Sequence, residues 1–405
     1  MRVDIAACRS SDELLSALAP VMHYFGRSPV AQDGDRFLPF IEPARGFVAR
    51  ADGLAVGGCA SFPLELTVPG GRSVQAAGLT VVGVLPTHRR RGILHDMMRA
   101  QLDDVRRRGE PLAALWASED TIYGRFGYGL ASFSGEIDVP RAAAAFARPF
   151  ESGGQFRLLP EDEALAPMAE AYERARPAHP GMIVRSAEWW RQRRLADPEN
   201  RRQGQGELNR LVVTHDGRPS GLALYRVNQK FERGLSAGHV SVIEAVGATA
   251  EATRELWRYL FDLDWVERVK AMLLPMDHPL FFLLARPREM DFRVRDGLWI
   301  RLMDVSAALA ARRMGAAEPV VIEVADAFCP WNQGRWRVSE TGAATTSAEA
   351  DLACDVTALG SVYLGGFTFR QLASGGRVSE LRPGALARAD ALFPSDGAPW
   401  CPEIF

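Results

Sequence analysis

The sequence predicts a mixed α/β (α+β) protein in three parts: two α/β units of related rhythm over residues 1–145 and 146–303, and an α+β unit over 304–405. Three observations carry this expectation. Residues 79–128 read as one continuous run of strand, turn, helix, strand and short helix, and the middle third repeats that order weakly. Past 304 the pattern changes to strands of one sheet followed by helices. Alternating strands and helices mark α/β units, and segregated ones mark α+β units. A chain of 405 residues also exceeds one ordinary core.

In chain order, Ser10 or Ser11 caps a short helix over 12–18, and a polar stretch expected to be mobile follows over 27–36. Residues 46–50 and 54–66, joined by a turn at Asp52-Gly53, alternate as a hairpin does. After the turn Val68-Pro69-Gly70-Gly71, residues 73–77 lead into a strand dense in aliphatic side chains: Leu79, Val81, Val82 and Val84. Pro86 denies the ladder a further donor, so the strand ends there. Ile93, Leu94, Met97, Met98, Leu102 and Val105 recur at three and four residue steps, one apolar stripe on a helix that Gly109 and Pro111 close. Residues 112–116 form the next buried strand. Ser118, Glu119 and Asp120 then cap a short helix that carries Tyr123.

Between strand and helix stands Thr87-His88-Arg89-Arg90-Arg91-Gly92. A helix N-terminus points unpaired backbone N–H groups at whatever lies above it, which makes an anion site. Gly92 admits close approach to the backbone, and Arg89, Arg90 and Arg91 add a cationic field suited to a pyrophosphate and a ribose phosphate. Coenzyme A carries both. An arginine triplet alone is ordinarily a solvated face; the buried strand before it and the amphipathic helix behind it argue for a cradle. No G-x-x-x-x-G-K-[ST] and no strand-borne G-x-G-x-x-G is present, so nucleoside triphosphates and dinucleotides are poor candidates.

The second unit is expected to hold helices over 162–174 and around Trp189-Trp190, strands over 211–215, 221–227 and 239–246, a helix over 249–263 and a strand over 269–274. Gly247-Ala248-Thr249-Ala250 stands where the first unit has its Arg-Gly turn, so no coenzyme A is expected there. In the third part, strands at 319–324, 334–338 and 353–356 precede helices at 356–363, 367–372 and 383–393.

Composition narrows the functional classes. A hydrophobic fraction of 47% with 24% charged residues is that of a globular protein, and a formal net charge of −2 gives no reason to propose nucleic acid. An acid at Asp4 and the lack of an apolar leader argue against export. The apolar run 272–285 is too short and too interrupted to span a bilayer, so a cytoplasmic protein is expected. Cys8, Cys59, Cys329, Cys354 and Cys401 are odd in number with no close pair, against a disulfide framework or a zinc site. No metal cofactor is implied.

Two motifs bring a family into view. Arg89-x-x-Gly92-x-Leu94 resembles the Q/R-x-x-G-x-G/A turn of the GNAT acetyltransferases, with Leu94 departing from the small third residue. The combination P-T-H-R-R-R-G and A-S-E-x-x-I-Y-G-R-F-G-Y-G resembles the Eis family of bacterial N-acetyltransferases. P-W-N-x-G-x-W, L-x-S-V-Y-L-G-G and A-R-A-D-A-L-F-P resemble the sterol-carrier-like domain that ends those proteins. The resemblance implies two GNAT-like domains, the second degenerate, and acetyl-CoA as co-substrate. It implies a strand that splays so that the pantetheine arm meets backbone near Val82 and Val84, with Arg89, Arg90, Arg91, Gly92, Ile93 and Ser118 completing the cofactor contacts. It further implies Tyr123 as general acid, the terminal carboxylate of Phe405 as base, a cationic amine acceptor such as an aminoglycoside, and a homo-hexamer. Glu403, Asp33, Asp35 and Glu42 are further acids available to a polycation. The competing readings are a polyamine or lysine acetyltransferase, and a non-catalytic acyl-CoA or lipid carrier.

Overall fold

The computed structural model describes residues 3–28 and 31–405; positions 1–2 of the N-terminal stretch and 29–30 of the polar stretch lie outside the described residues. The strands in chain order begin with β1 (Val3–Ala7), β2 (Gly46–Ala51), β3 (Leu54–Thr67), β4 (Ser73–Val84), β5 (Leu112–Trp116) and β6 (Gly129–Leu130). Next come β7 (Phe133–Pro140), β8 (Gln155–Leu158), β9 (Leu208–His215), β10 (Arg218–Asn228), the short pair β11 (Phe231–Glu232) and β12 (Leu235–Ser236), β13 (His239–Gly247), β14 (Arg268–Leu274) and β15 (Arg293–Asp296). The last are β16 (Leu298–Leu302), β17 (Val320–Ala325), β18 (Gly334–Ser339), β19 (Gly342–Thr345), β20 (Leu352–Asp355) and β21 (Val378–Glu380). They form a sheet ordered β1-β2-β3-β4-β5-β16-β6, a second ordered β15-β7-β14-β13-β10-β9-β8, and a third ordered β19-β18-β17-β20-β21.

Each of the first two sheets takes a strand from far along the chain. β7 follows the first sheet in sequence but pairs with β14 from Arg268↔Pro140 to Leu274↔Gly135, and β16 returns to pair with β5 from Leu298↔Trp116 to Leu302↔Leu112. The sequence boundaries at 145 and 303 follow the rhythm of elements. The compact units follow sheet membership: one holds the chain up to Ser132 with Leu298–Ser395 and Ile404–Phe405, the other Phe133–Gly297 with Asp396–Glu403.

In the first unit the helix Ser11–Met22, capped by the Ser10 hydroxyl on the Glu13 N–H, lies across β3 and β4. A Cβ at Gly58 would stand 1.9 Å from the Ala17 carbonyl oxygen, and one at Gly83 2.8 Å from the Val21 Cα. Both neighbours are backbone, which has no rotamer to yield. Gly58→Ala is therefore expected to lift this helix off the sheet at a cost of about 1–3 kcal/mol or more, the range for overpacked cores. Thermal unfolding should register the loss, and an unchanged midpoint would contradict the packing. On the other face the helix Ile93–Arg107 buries Ile93, Met97, Met98, Leu102 and Val105 against Ala77, Leu79 and Cys59. The polar stretch 27–36 is tied down in part: Arg27 grips the buried Asp33 through two bonds of 2.6 and 2.7 Å.

The third sheet belongs to the first unit, and the helix Val356–Tyr363 joins it to β6 and β16. Close approach requires glycine on both sides, since a Cβ at Gly129 would meet the Thr357 carbonyl at 1.9 Å and one at Gly360 the Ile300 carbonyl at 2.2 Å. All five cysteines are free and buried. No helix among the described residues is long and apolar enough to cross a membrane.

Candidate active site

The site begins where β4 and β5 part company. β4 keeps its antiparallel register with β3 from Ser73↔Thr67 to Val84↔Gly57, but its parallel register with β5 stops at Gly78↔Ala114. β5 meanwhile stays in register with β16 to its end at Trp116. Each strand follows its own partner, so the sheet opens past Gly78. A bulge adds to the opening: the register shifts between Gly58 and Ala60, so that Cys59 faces both Val81 and Val82. Val81 has φ 50°, a left-handed conformation rare for a β-branched residue, and bulges of this kind bend the strand that carries them. Among the described residues no strand lies opposite the open edge from Leu79 to Val84, the arrangement an extended amide ligand can use.

At the open end lies a cavity of about 760 Å³ lined by Val82, Val84, Arg89, Arg90, Gly92, Ile93, Ser118 and Tyr123, among others. The sequence reasoning named all of these. Gly92 starts the helix Ile93–Arg107 at φ 80°, a position that favours glycine, and no side chain caps the first turn. Its N–H groups remain available for an anion, with Arg89 and Arg90 beside them. Arg91 is not among the lining residues. The sequence reasoning missed Tyr24 and Phe25, which line the same cavity from the turn after the first helix. The Tyr24 hydroxyl donates to the Val84 carbonyl at 2.5 Å, and the Arg89 guanidinium stacks over its ring at 4.8 Å. An exposed aromatic pair in a polar turn was the available signal.

Arg89→Ala is expected to raise the acetyl-CoA KM with a smaller effect on kcat, because phosphate contacts are common to ground and transition states. One charge-assisted contact is worth roughly 1.5–3 kcal/mol. Arg91→Ala should do less. Steady-state kinetics on both variants check this, and an unchanged KM in Arg89→Ala would remove the turn from the cofactor site.

Tyr123 ends the short helix Asp120–Tyr123 and is buried at 5% exposure. Ser118, expected to cap that helix, does not do so; Glu119 stands at the N-cap, and no side chain there makes a capping bond. Ser118 instead lies beside the Tyr123 hydroxyl. Burial, with Cys59 and Glu119 nearby, pushes that hydroxyl up to about 12, and Ser118 offsets part of the rise. The turn that follows packs against a buried ion pair. The buried Arg301 of β16 holds Asp326 through bonds of 3.0 and 2.8 Å, and a Cβ at Gly127 would fall 1.3 Å from its guanidinium. The second glycine of I-Y-G-R-F-G-Y thus leaves room for this ion pair, and at φ 84° it also takes the turn that follows.

Phe405 is buried in the first unit, with its ring against Gly78, the last residue of β4 to pair with β5. Side chains alternate along a strand. Ala77 and Leu79 face the helix Ile93–Arg107, so Gly78 and Phe405 lie on the opposite face of the wedge. Phe405 is not in the cavity lining. Of the other acids named from sequence, Asp33 is engaged by Arg27, Glu42 lies 3.5 Å from Arg108 with its side chain mostly exposed, and Asp35 is exposed; none lines the cavity. Glu403 belongs to the second unit, where it accepts from Arg185 at 2.9 Å and from the Trp189 indole at 2.8 Å. Burial alone would push its carboxyl up, but Arg185, Arg194, Arg193 and Trp189 outweigh burial and hold it below the ordinary range. A carboxylate so engaged is a poor base.

The second sheet repeats the wedge and fills it. β13 and β14 pair from His239↔Arg268 only to Val242↔Ala271, and the register of β10 against β13 shifts between Leu224 and Tyr225. At the parted ends the Trp400 indole donates to the Leu273 carbonyl, and Arg185 bridges Glu244 to Glu403. The helix Ala250–Asp262 is capped by Thr249, whose hydroxyl accepts from the Ala252 N–H at 3.1 Å. The donor that an anion would use is already spent.

A splayed strand, an uncapped helix behind an arginine turn and a tyrosine in the cavity wall define the class: this is a GNAT N-acetyltransferase with a sterol-carrier-like domain. An acetyltransferase (GNAT) domain model matches residues 5–131, a second matches 181–302, and a sterol carrier protein domain model matches 305–402. An uncharacterized N-acetyltransferase of Streptomyces avermitilis is 40% identical over the full length of both chains. The N-acetyltransferase Eis of Mycobacterium tuberculosis is 38% identical over 87% of this chain and 88% of its own. The crystal structure of Eis1 from Mycobacterium abscessus superposes with a TM-score of 0.84 at 38% identity, covering 99% of this chain and all of that one. The chain belongs to the Eis family of N-acetyltransferases. Acetyl-CoA is the co-substrate of GNAT acetyltransferases.

Proposed function

We propose that this enzyme transfers the acetyl group of acetyl-CoA to a primary amine of a multi-amine small molecule, with aminoglycosides as the model acceptors. The observation that carries the reading is the wedge, with anion donors at its open end, Tyr123 in the cavity wall and the chain terminus at the vertex. Val82 and Val84 would bond the pantetheine arm, and Arg89, Arg90, Arg91, Gly92 and Ile93 the phosphates. Ser118 would orient the Tyr123 hydroxyl.

A primary amine with a pKa of about 10.4 is protonated at neutral pH, so it must lose a proton before it attacks. The terminal carboxylate of Phe405 takes that role, directly or through water. Attack forms the C–N bond and a tetrahedral intermediate with a cationic nitrogen; its collapse breaks the C–S bond, the departing thiolate takes the Tyr123 proton, and the second proton of the nitrogen leaves as the amide forms and restores the Tyr123 hydroxyl, directly or through water. A phenol near 12 is a weak acid toward a solvated thiolate, whose thiol titrates at about 8.5. A thiolate shielded from water narrows the mismatch, because desolvation raises a thiol as it raises a phenol.

A screen of aminoglycosides, polyamines and lysine peptides with acetyl-CoA and thiol detection tests the reading. Turnover confined to polyamines or lysines would reassign the acceptor, and no thiol release with any amine would reject the mechanism. A cytoplasmic homo-hexamer belongs to the same reading, and light scattering on the native protein checks its mass.

A further inference from the structure

We propose that the second unit carries a binding site for one divalent transition-metal ion, of the zinc class, formed by His215, Glu251 and Glu255. Glu251 and Glu255 lie four residues apart on the helix Ala250–Asp262, so they share a face, and His215 ends β9 beside them. The His215 Nε2 stands 3.0 Å from the Glu255 Oε2 and 3.8 Å from the Glu251 Oε1. One ligand atom from each residue falls within 4.8 Å of the other two.

Hydrogen bonding around the cluster shows what the site lacks. Glu255 is wholly buried, and its Oε1 accepts three bonds, from the Ser152 hydroxyl at 2.8 Å and the N–H groups of Gly153 and Gly154 at 2.8 and 3.1 Å. Its Oε2 and the His215 Nε2 are buried and, apart from their 3.0 Å contact with each other, meet no hydrogen-bond partner among the described residues. The tautomer follows from Ser220. Its hydroxyl lies 3.1 Å from the Val213 carbonyl and 2.6 Å from the His215 Nδ1; with its proton on the carbonyl, the ring N–H is the donor at Nδ1. In that tautomer of the neutral ring the Nε2 presents a lone pair to the Glu255 Oε2, 3.0 Å away. In this tautomer a bound cation relieves the repulsion of the two lone pairs.

A metal ion satisfies every feature. The ring nitrogen away from the metal donates to a fixed acceptor, the usual second partner of a histidine ligand, and Glu255 is oriented by three donors through its other oxygen. Imidazole with carboxylates suits zinc and its neighbours rather than magnesium or calcium. Two carboxylates and a neutral histidine balance a charge of two. Glu251, half exposed, leaves the ion open to water. Gly154 keeps the site clear, since a Cβ there would lie 2.2 Å from the Glu255 Oε2. The competing occupant is a proton, which would make His215 an imidazolium paired with Glu255.

The experiment uses the full-length protein, stripped with chelator and dialysed, and titrated with zinc by calorimetry and with cobalt(II) by visible absorption. Glu251→Gln and His215→Gln serve as the variants; Glu251 is exposed enough for its variant to fold. We expect one equivalent of zinc per chain, a cobalt d–d spectrum, a rise in unfolding temperature on zinc addition, and affinity weakened about 10–100-fold or more in Glu251→Gln. Absence of stoichiometric binding, with His215 titrating as an imidazolium by NMR, would overturn the proposal in favour of the proton. So would binding that both variants leave unchanged, because the ion would then lie elsewhere.

Discussion

Tyr123→Phe is expected to lower kcat by about 10²–10⁴-fold, the usual worth of general acid catalysis, while acetyl-CoA affinity hardly changes. The substitution keeps the ring packed in the core with Phe126 and Tyr128 and removes only the hydroxyl beside Ser118. Stability should be close to that of the parent, so the kinetic loss separates chemistry from folding. Steady-state rates on a confirmed acceptor, with acetyl-CoA binding measured in parallel, decide the matter; turnover at the parent rate would make Tyr123 a packing residue. The pH profile supplies a second readout. Burial raises the folded hydroxyl above its free value, so Tyr123 keeps its proton well past neutrality and loses it only as pH rises toward about 12. A Tyr123-dependent fall in kcat near the free phenol value of about 10 would show a hydroxyl that is not buried as described.

The run 79–128 was legible in sequence because its signals are local. The stripe from Ile93 to Val105, the stop at Pro86 and the cationic turn at Arg89–Gly92 each declare themselves within a few residues. The wedge itself was expected only through family resemblance, and its physical cause is not local: β5 keeps register with β16, nearly two hundred residues away in the chain by the numbering, while β4 keeps register with β3. Alternation within 133–140 or 298–302 says that a strand forms but not which sheet receives it. The bulge was hidden for a related reason, since Val81 at φ 50° runs against the preference of its own side chain. Gly127 was visible as part of a motif, but its purpose required Arg301. Glu403, two residues from the chain end, passed as a candidate base because sequence does not show Arg185 and Trp189 closing on it.

Extending the chain beyond Phe405 is expected to abolish most of the activity while sparing acetyl-CoA binding. A peptide bond at that carbon converts the terminal carboxylate to an amide, removing the charge and the basic site together, and no side-chain substitution can do this. A free carboxylate titrates near 3.3–3.7 and is a weak base in water, so the mechanism needs a setting that raises it or a water that relays the proton. The structure offers burial: Phe405 is only 7% exposed, with its ring on Gly78 at the vertex of the wedge. Added residues must also find an exit from that packing. Deleting Phe405 should lower kcat through misplacement of the new terminus, where a shift of about 1 Å can cost on the order of 10² in rate. The decisive comparison sets a C-terminally tagged protein against an N-terminally tagged one, both folded and of equal mass in solution. Equal kcat in the two would rule out the terminal carboxylate as base and leave a bound water to take the amine proton, since Glu403 is committed to its arginines.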